Sequence, residues 1–430
     1  VKPAAIDSSL FRENRKRLLQ LLPQNSLAIL NANDLLPTNA DASIAIPNSD
    51  LFYLSGVTQE ESILLLAPNA FEERHREILF LREPNELMTI WEGHKLTKEE
   101  ASRISGIANI QWLSQFPPIF RTLMCEAGSV FLNTNEHQRA DALVETRDAR
   151  FIAECQRRYP LHHYQRLAPL LHQLRTVKSA PEIELIRSAC ALTGKGFRRV
   201  LNFVKPGVNE TEIEAEFAHE FIRGFGCFAY PPIIAAGINN CILHYEENNQ
   251  TCKKGDLILM DVAAGKGGYM SDLTRTIPAN GRFSKRQRQV YDATLRIFRA
   301  MLRTIAPGKT TRDLRAECDE LTTKECVDLG LIKPSQLKRA QPGGPAVRKY
   351  FMHGVSHPLG LDVHDVAYNH DKIQPGWVLT CEPGIYIQEE GFGIRLENTV
   401  AVTENGIIDL MADIPIEPDE IESLMTDKRA

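Results

Sequence analysis

At 430 residues the chain is too long for one ordinary hydrophobic core, so two domains are expected. Its 43% hydrophobic and 24% charged residues are those of a soluble globular protein. The net charge of −5, with no basic cluster interleaved with aromatics, excludes any reason to expect nucleic acid, and no run of about 18 apolar residues offers a membrane span.

The first segment, VKPAAIDSSLFRENRKRLLQ, lacks the apolar core of a secretory signal and has no initiator Met, so processing upstream is invisible. Nine cysteines are scattered, with no Cys-x-x-Cys pair. That pattern predicts free thiols in a reducing compartment, either the cytoplasm or a mitochondrial matrix reached through a removed transit peptide.

Residues 27–132 alternate short apolar runs (LAIL, SILLLAP, REILFLREP) with charged helical stretches such as TKEEASRISGI. This reads as an α/β segment without metal-ligand spacing. A helix is expected over NEHQRADALVETRDARFIAECQRR, from about residue 135. A longer one follows in SAPEIELIRSACALTGKGFRRVL, with Ser179 as its cap, Pro181 in its first turn, and Glu182 and Glu184 at its positive end. The domain boundary is placed just before it, giving domains 1–172 and 173–430. Within the second, VKPGVNETEIEAEF (204–217) and IAPGKTTRDLRAEC (305–318) align without gaps. Each begins where a long helix ends at Pro-Gly and restarts behind a capping Asn209 or Thr310. Two similar halves around a shared site are predicted.

Each half carries one acidic hairpin. Asp261 and Asp272 flank Gly265-Lys266-Gly267-Gly268, and Glu382 and Glu397 flank a Gly-containing turn. Taking Lys266-Gly267 as the turn pairs Asp261 directly with Asp272, with Cβ atoms roughly 4.5–5.5 Å apart on one face. Glu382 and Glu397 are an odd number of positions apart and can face each other too. Acids aimed into one apolar site repel unless a cation neutralises them. Four carboxylates balance two divalent ions but not one. An oxygen-rich, thiolate-free set favours Mn²⁺, with Zn²⁺, Co²⁺ or Fe²⁺ as alternatives. Two such ions about 3.5–4 Å apart can share a bridging water and lower its pKa, the chemistry of a hydrolase.

The run HGVSHPLGLDVHD (353–365) lies between the hairpins, and His244 lies just before the strand of Asp261. Gly354, Pro358 and Gly360 argue against a helix here, so the spacing of His353 and His357 carries no weight.

NNCILHY, MDVAAGKGGYMSDLTRTIP, FMHGVSHPLGLDVHD, LTCEPGIYI and GIRLENTV together resemble the five active-site blocks of the pita-bread metallopeptidases, and among them the aminopeptidase P (Xaa-Pro aminopeptidase) family, over roughly residues 174–410. PNSDLFYLSGVTQEESILLLAP resembles that family's amino-terminal domain, although Ile44-Ala45-Ile46-Pro47 stands where the family has an aromatic and Arg-Gln. The resemblance implies an α/β two-domain protein whose catalytic domain is α+β, pseudo-two-fold, with a curved antiparallel sheet flanked by helices. It makes Asp261, Asp272, His357, Glu382 and Glu397 the ligands of two metal ions. His244 and His364 match catalytic histidines, His353 a substrate-pocket histidine, and Tyr386 and Arg395 supporting positions. Trp91, in TIWEGHKL, is similar to an aromatic that covers the proline pocket from a neighbouring subunit; the plainer reading makes it domain core.

The implied reaction is hydrolysis of the Xaa-Pro bond at a peptide's N-terminus by a hydroxide bridging the metals. Glu382 takes the water proton, His244 helps stabilise the oxyanion, and His364, positioned through Asp365, takes part in protonating the leaving nitrogen. Peptides with proline second are the implied partners, and a homodimer or homotetramer the implied assembly. A prolidase, cleaving Xaa-Pro dipeptides with the same ligands, is the alternative within the class. A non-catalytic pita-bread binding module is the alternative outside it, but that reading expects lost ligands or a charged tail.

Overall fold

A computed structural model describes residues 5–337 and 344–426. The chain divides into two compact units, Val1–Arg175 and Thr176–Ala430.

In the first unit, six strands form one mixed sheet: β1 (Ser26–Asn31), β2 (Ile63–Leu66), β3 (Glu77–Leu81), β4 (Asn109–Trp112), β5 (Ser129–Leu132) and β6 (His163–Arg166), in the order β4-β3-β2-β1-β5-β6. Strands β1 and β2 are buried throughout, as their unbroken apolar runs demand. Among the helices, α1 (Ser8–Leu21) starts behind Asp7, α2 spans Glu86–Glu92, and α3 (Lys98–Ser105) starts behind a Thr97/Glu100 capping box. The helix expected from about residue 135 begins only at Arg147, as α4 (Arg147–Arg158). The Thr146 hydroxyl accepts from Ala149 N–H at 3.2 Å and fixes that start. Upstream, Asn135 accepts from the His137 N–H at 3.1 Å, so the polar side chains there serve the backbone in place of a helix.

The second unit has the repeat in its helices. α5 (Ala180–Phe203) is followed by α6 (Glu210–Arg223), and α7 (Lys285–Thr304) by α8 (Thr311–Asp328). Gly207 (φ +98°) and Gly308 (φ +88°) turn the chain between the partners of each pair. Capping boxes then restart it: Glu212 accepts from Asn209 N–H and Asp313 from Thr310 N–H, each at 2.8 Å. At the start of α5, Glu182 accepts from both the N–H and the hydroxyl of Ser179 at 2.8 Å. Its other oxygen takes the Tyr269 hydroxyl at 3.0 Å, tying the helix to the first acidic hairpin. Gly196 lets α5 and α6 close up, since a Cβ there would lie 2.8 Å from the Phe217 ring.

The sheets of this unit are antiparallel. β7 (Ile233–Ala236) pairs with β8 (Leu257–Asp261), and β8 with β11 (Thr274–Pro278); β9 (Ala264–Lys266) and β10 (Tyr269–Met270) form the hairpin tip between them. In the second half, β12 (Val378–Cys381) pairs with β15 (Asn398–Thr403), and β15 with β16 (Gly406–Asp409). The tip there is β13 (Gly384–Ile387) against β14 (Phe392–Arg395). Thr274, Arg275 and Thr276 of β11 are completely buried. The Arg275 guanidinium is spent on carbonyls and an amide oxygen, including Glu397 O at 2.7 Å, Asn398 Oδ1 at 2.8 Å and Pro415 O at 2.8 Å. Glu397 N–H donates to Thr274 O at 3.1 Å and Asp272 N–H to Thr399 Oγ1 at 3.1 Å. These bonds stitch the two acidic hairpins together along a central seam. All nine cysteines are free thiols, and among the described residues no helix is long and apolar enough to cross a membrane.

Candidate metal centre and peptide pocket

The first hairpin does not have the expected register. Lys266 pairs with Tyr269 and Gly265 with Met270, so the two turn residues are Gly267 (φ +60°) and Gly268 (φ +80°). Both central positions of this turn have positive φ, which two glycines meet without strain and a lysine would not. The register slides by two, and Asp261 lies opposite Thr274 instead of Asp272. A slip of two preserves side-chain parity, so the two acids still share a face as diagonal neighbours. The Tyr230 hydroxyl joins them, 2.5 Å from Asp261 Oδ1 and 2.6 Å from Asp272 Oδ1. In the second hairpin, Cys381 pairs with Asn398 and Gly384 with Arg395, which sets Glu382 across from Glu397.

His357 comes from an irregular segment. Its Nδ1 lies 2.9 Å from Pro358 O, which turns Nε2 toward the acids, 3.3 Å from Asp272 Oδ2 and 3.8 Å from Glu382 Oε1. One donor atom each from Asp272, His357 and Glu397 lie within 4.8 Å of one another, all three residues buried or nearly so. The Thr274 hydroxyl reaches Glu397 Oε2 at 2.6 Å. Asp261 sits one step away, its Oδ2 2.6 Å from Arg395 Nη2. Arg395 is held by Thr274 Oγ1 at 3.1 Å and the Tyr386 hydroxyl at 2.8 Å, and that hydroxyl contacts His353 Nε2 at 2.7 Å. Tyr386 therefore stands behind the site, as a support for two side chains that line it.

A cavity of about 290 Å³ opens over these groups. Asp261, Asp272, His353, His357, Glu382, Arg395 and Glu397 line it, with His244, His364 and Tyr230. The His364 ring packs edge-on to that of His357 at 4.3 Å. The segment carrying both is anchored by Asp365, whose Oδ2 lies 2.9 Å from Lys178 Nζ in an ion pair with both side chains 1% exposed. A Cβ on Gly360 would come within 2.1 Å of that carboxylate.

Charge in the site is out of balance. Burial, with Asp261 adding, pushes Asp272 up to about 6 although His357 pulls the other way. Burial and the charges of Asp272, Glu382 and Asp261 drive Glu397 well above the usual carboxylate range. Burial works to raise Glu382 as well, but His353, His357 and Arg395 hold it at about 2. Burial and mutual repulsion thus favour a proton on Asp272 and on Glu397, and a divalent cation relieves that repulsion. The donors, carboxylate oxygens and one imidazole nitrogen within reach of a common point, fit such an ion.

Trp91 is not core. It is 78% exposed on α2, beside exposed Leu87 and Ile90. Three positions escape a motif-based reading. Tyr230 precedes Pro231-Pro232 and stands far upstream of the acids it joins, with no spacing to betray it. Arg275 does leave a signal, as a lone charge inside the strand run LTRTI. Glu210, fully buried, accepts from Ala236 N–H at 2.7 Å, the Tyr245 hydroxyl at 2.9 Å and Gln250 N–H at 2.8 Å, and so holds the loop after His244.

The sequence profile described as "Metallopeptidase family M24" matches residues 184–404, and the one described as "Aminopeptidase P, N-terminal domain" matches residues 11–131. The chain is 33% identical to the Xaa-Pro aminopeptidase of Escherichia coli K12, over 97% of this chain and 98% of that protein. The structure of Pseudomonas aeruginosa aminopeptidase PepP superposes with a TM-score of 0.90 at 31% identity, covering 99% of each chain. Zn-substituted E. coli aminopeptidase P in complex with product does so with a TM-score of 0.87 at 31% identity, covering 99% of this chain and 100% of that one. Sequence, fold and carboxylate site thus agree, and the chain belongs to metallopeptidase family M24, among its Xaa-Pro aminopeptidase (aminopeptidase P) members.

Proposed function

We propose that this protein removes the first residue from peptides whose second residue is proline, using two divalent metal ions held by Asp261, Asp272, His357, Glu382 and Glu397. The observation that carries the reading is the convergence of Asp272, His357 and Glu397 under one cavity with Asp261 and Glu382 beside them. Two ions match four carboxylates in charge, and Mn²⁺ suits their oxygen-rich set. Bound there, the ions would lower the pKa of a coordinated water toward neutral, so that it can yield a proton, and would polarise the scissile carbonyl.

The remaining work falls to side chains. Glu382 accepts the water proton, and its two oxygens near His353 and His357 keep it aligned. His244 donates toward the oxygen that gains charge. His364, on the same wall, delivers a proton to the proline nitrogen, which has no N–H of its own and leaves as a secondary amine. Arg395 and Tyr386 hold Asp261 and His353 in place. The uncovered apolar face of Leu87, Ile90 and Trp91 supports a role for Trp91 over the proline pocket of a second copy, in a homodimer or homotetramer.

The decisive assay compares Arg-Pro-Pro-type tripeptides with Xaa-Pro dipeptides, with and without chelator and added Mn²⁺. Faster, chelator-sensitive cleavage of the tripeptides is expected. Preference for the free dipeptides would assign a prolidase instead, and chelator-resistant cleavage would remove the metal from the account.

A further inference from the structure

Resting on that reading of the site, we infer that Glu246 selects peptides with a basic side chain close to the scissile bond, on the residue before the proline or the one after it. Five carboxylates line the cavity. Four of them are engaged: Asp261 by Arg395 and Tyr230, Asp272 by Tyr230 and His357, Glu382 by His353 and His357, and Glu397 by Thr274. The fifth is Glu246. It is exposed, and among the described residues no hydrogen bond or ion pair engages it.

Its direction follows from its neighbours. Tyr245 is 3% exposed and turned inward, its hydroxyl fixed on the buried Glu210. His244 and Glu246, on either side of it, both reach the cavity wall. Glu246 is thereby presented beside a histidine assigned to the reaction, on a loop anchored at Tyr245. Pro231, Ile233, Leu243 and Val363 contribute apolar surface to the same cavity wall. An arginine or lysine can lay its aliphatic stem along such a wall while its charged head meets the carboxylate. Among the described residues the one arginine that lines the cavity, Arg395, is spent on Asp261, Tyr386 and Thr274, so it does not compete for Glu246. Two placements share this chemistry, a basic first residue and a basic residue after the proline, and the substrate set separates them.

The test uses the Mn²⁺-loaded full-length enzyme on Arg-Pro-Ala, Leu-Pro-Ala, Ala-Pro-Arg and Ala-Pro-Leu. For one of the two pairs, the ratio of kcat/KM for the basic over the neutral peptide should exceed one. It should fall by roughly two- to fivefold in Glu246→Gln, chiefly through KM, and invert in Glu246→Lys. The wild-type ratio should also shrink as salt is raised. A ratio that neither substitution moves, in either pair, overturns this inference while leaving the peptidase reading intact. A wild-type enzyme that cuts none of the four overturns both.

Discussion

The two acidic hairpins reach the same result by different routes. In the first, a two-residue Gly-Gly turn leaves Asp261 and Asp272 diagonal, and the Tyr230 hydroxyl closes the gap. In the second, a four-residue loop closed by Gly391 (φ +72°) leaves Glu382 and Glu397 directly opposed. The difference teaches that the shared face is set by alternation along the strands, whereas the distance across the hairpin is set by the turn.

The strongest way to break this comparison is to remove one acid from each hairpin. Asp272→Ala and Glu397→Ala should each lower kcat/KM by roughly 10³-fold or more and deplete bound metal by elemental analysis. Both should fold, because the ion-free site loses a repelling charge. Full activity in Asp272→Ala would refute the assigned site.

Cutting the seam between the hairpins comes next. Arg275→Met strands the carbonyls of Glu397 and Pro415 and the side chain of Asn398, all in the protein interior. A loss of about 3–5 kcal/mol in denaturant unfolding is expected. A near-neutral result would show that the halves hold together without it.

The pH dependence sharpens the electrostatic side. Asp272, at about 6 when folded, and Glu397 contribute stability that is complete below the ordinary carboxylate range and is lost as pH rises through their raised values. Glu382, at about 2, contributes in the opposite sense, with stability present above the ordinary glutamate value and lost as pH falls toward 2. Chelated protein should therefore lose a few degrees of Tm between about pH 4 and 7, and added Mn²⁺ should restore them at the upper end. Parallel calorimetry with and without metal checks this. A gap that does not widen with pH contradicts the crowding of acids.

The smallest effect distinguishes the turns themselves. Gly268→Ala and Gly391→Ala both put a side chain at positive φ and should each destabilise by about 1–2 kcal/mol. Only Gly268→Ala, in the two-residue turn, is expected to weaken metal binding as well, measured by competition with a chelator.

Much of this was legible in the residues. The odd spacing of each acidic pair allows a common face, and the paired Pro-Gly breaks with their Asn209 and Thr310 caps mark the halves. The exact opposition of Asp261 and Asp272 was not legible, because it turns on which two of four adjacent positions take positive φ. The helix expected from residue 135 failed for a related reason: Thr146 caps more strongly than the charge pattern before it extends. Tyr230 and Lys178 act through contacts distant in sequence, and a single chain carries no local trace of those.

The His357–His364 segment is neither helix nor strand, yet it is clamped by a Lys178–Asp365 pair almost wholly sealed from water. Mobile ions cannot reach such a pair, so ionic strengths that dissolve surface contacts should leave the imidazoles where they are. Any sensitivity of turnover to salt then reports on the peptide's approach, and the placement of the histidines behaves as a constant of the enzyme.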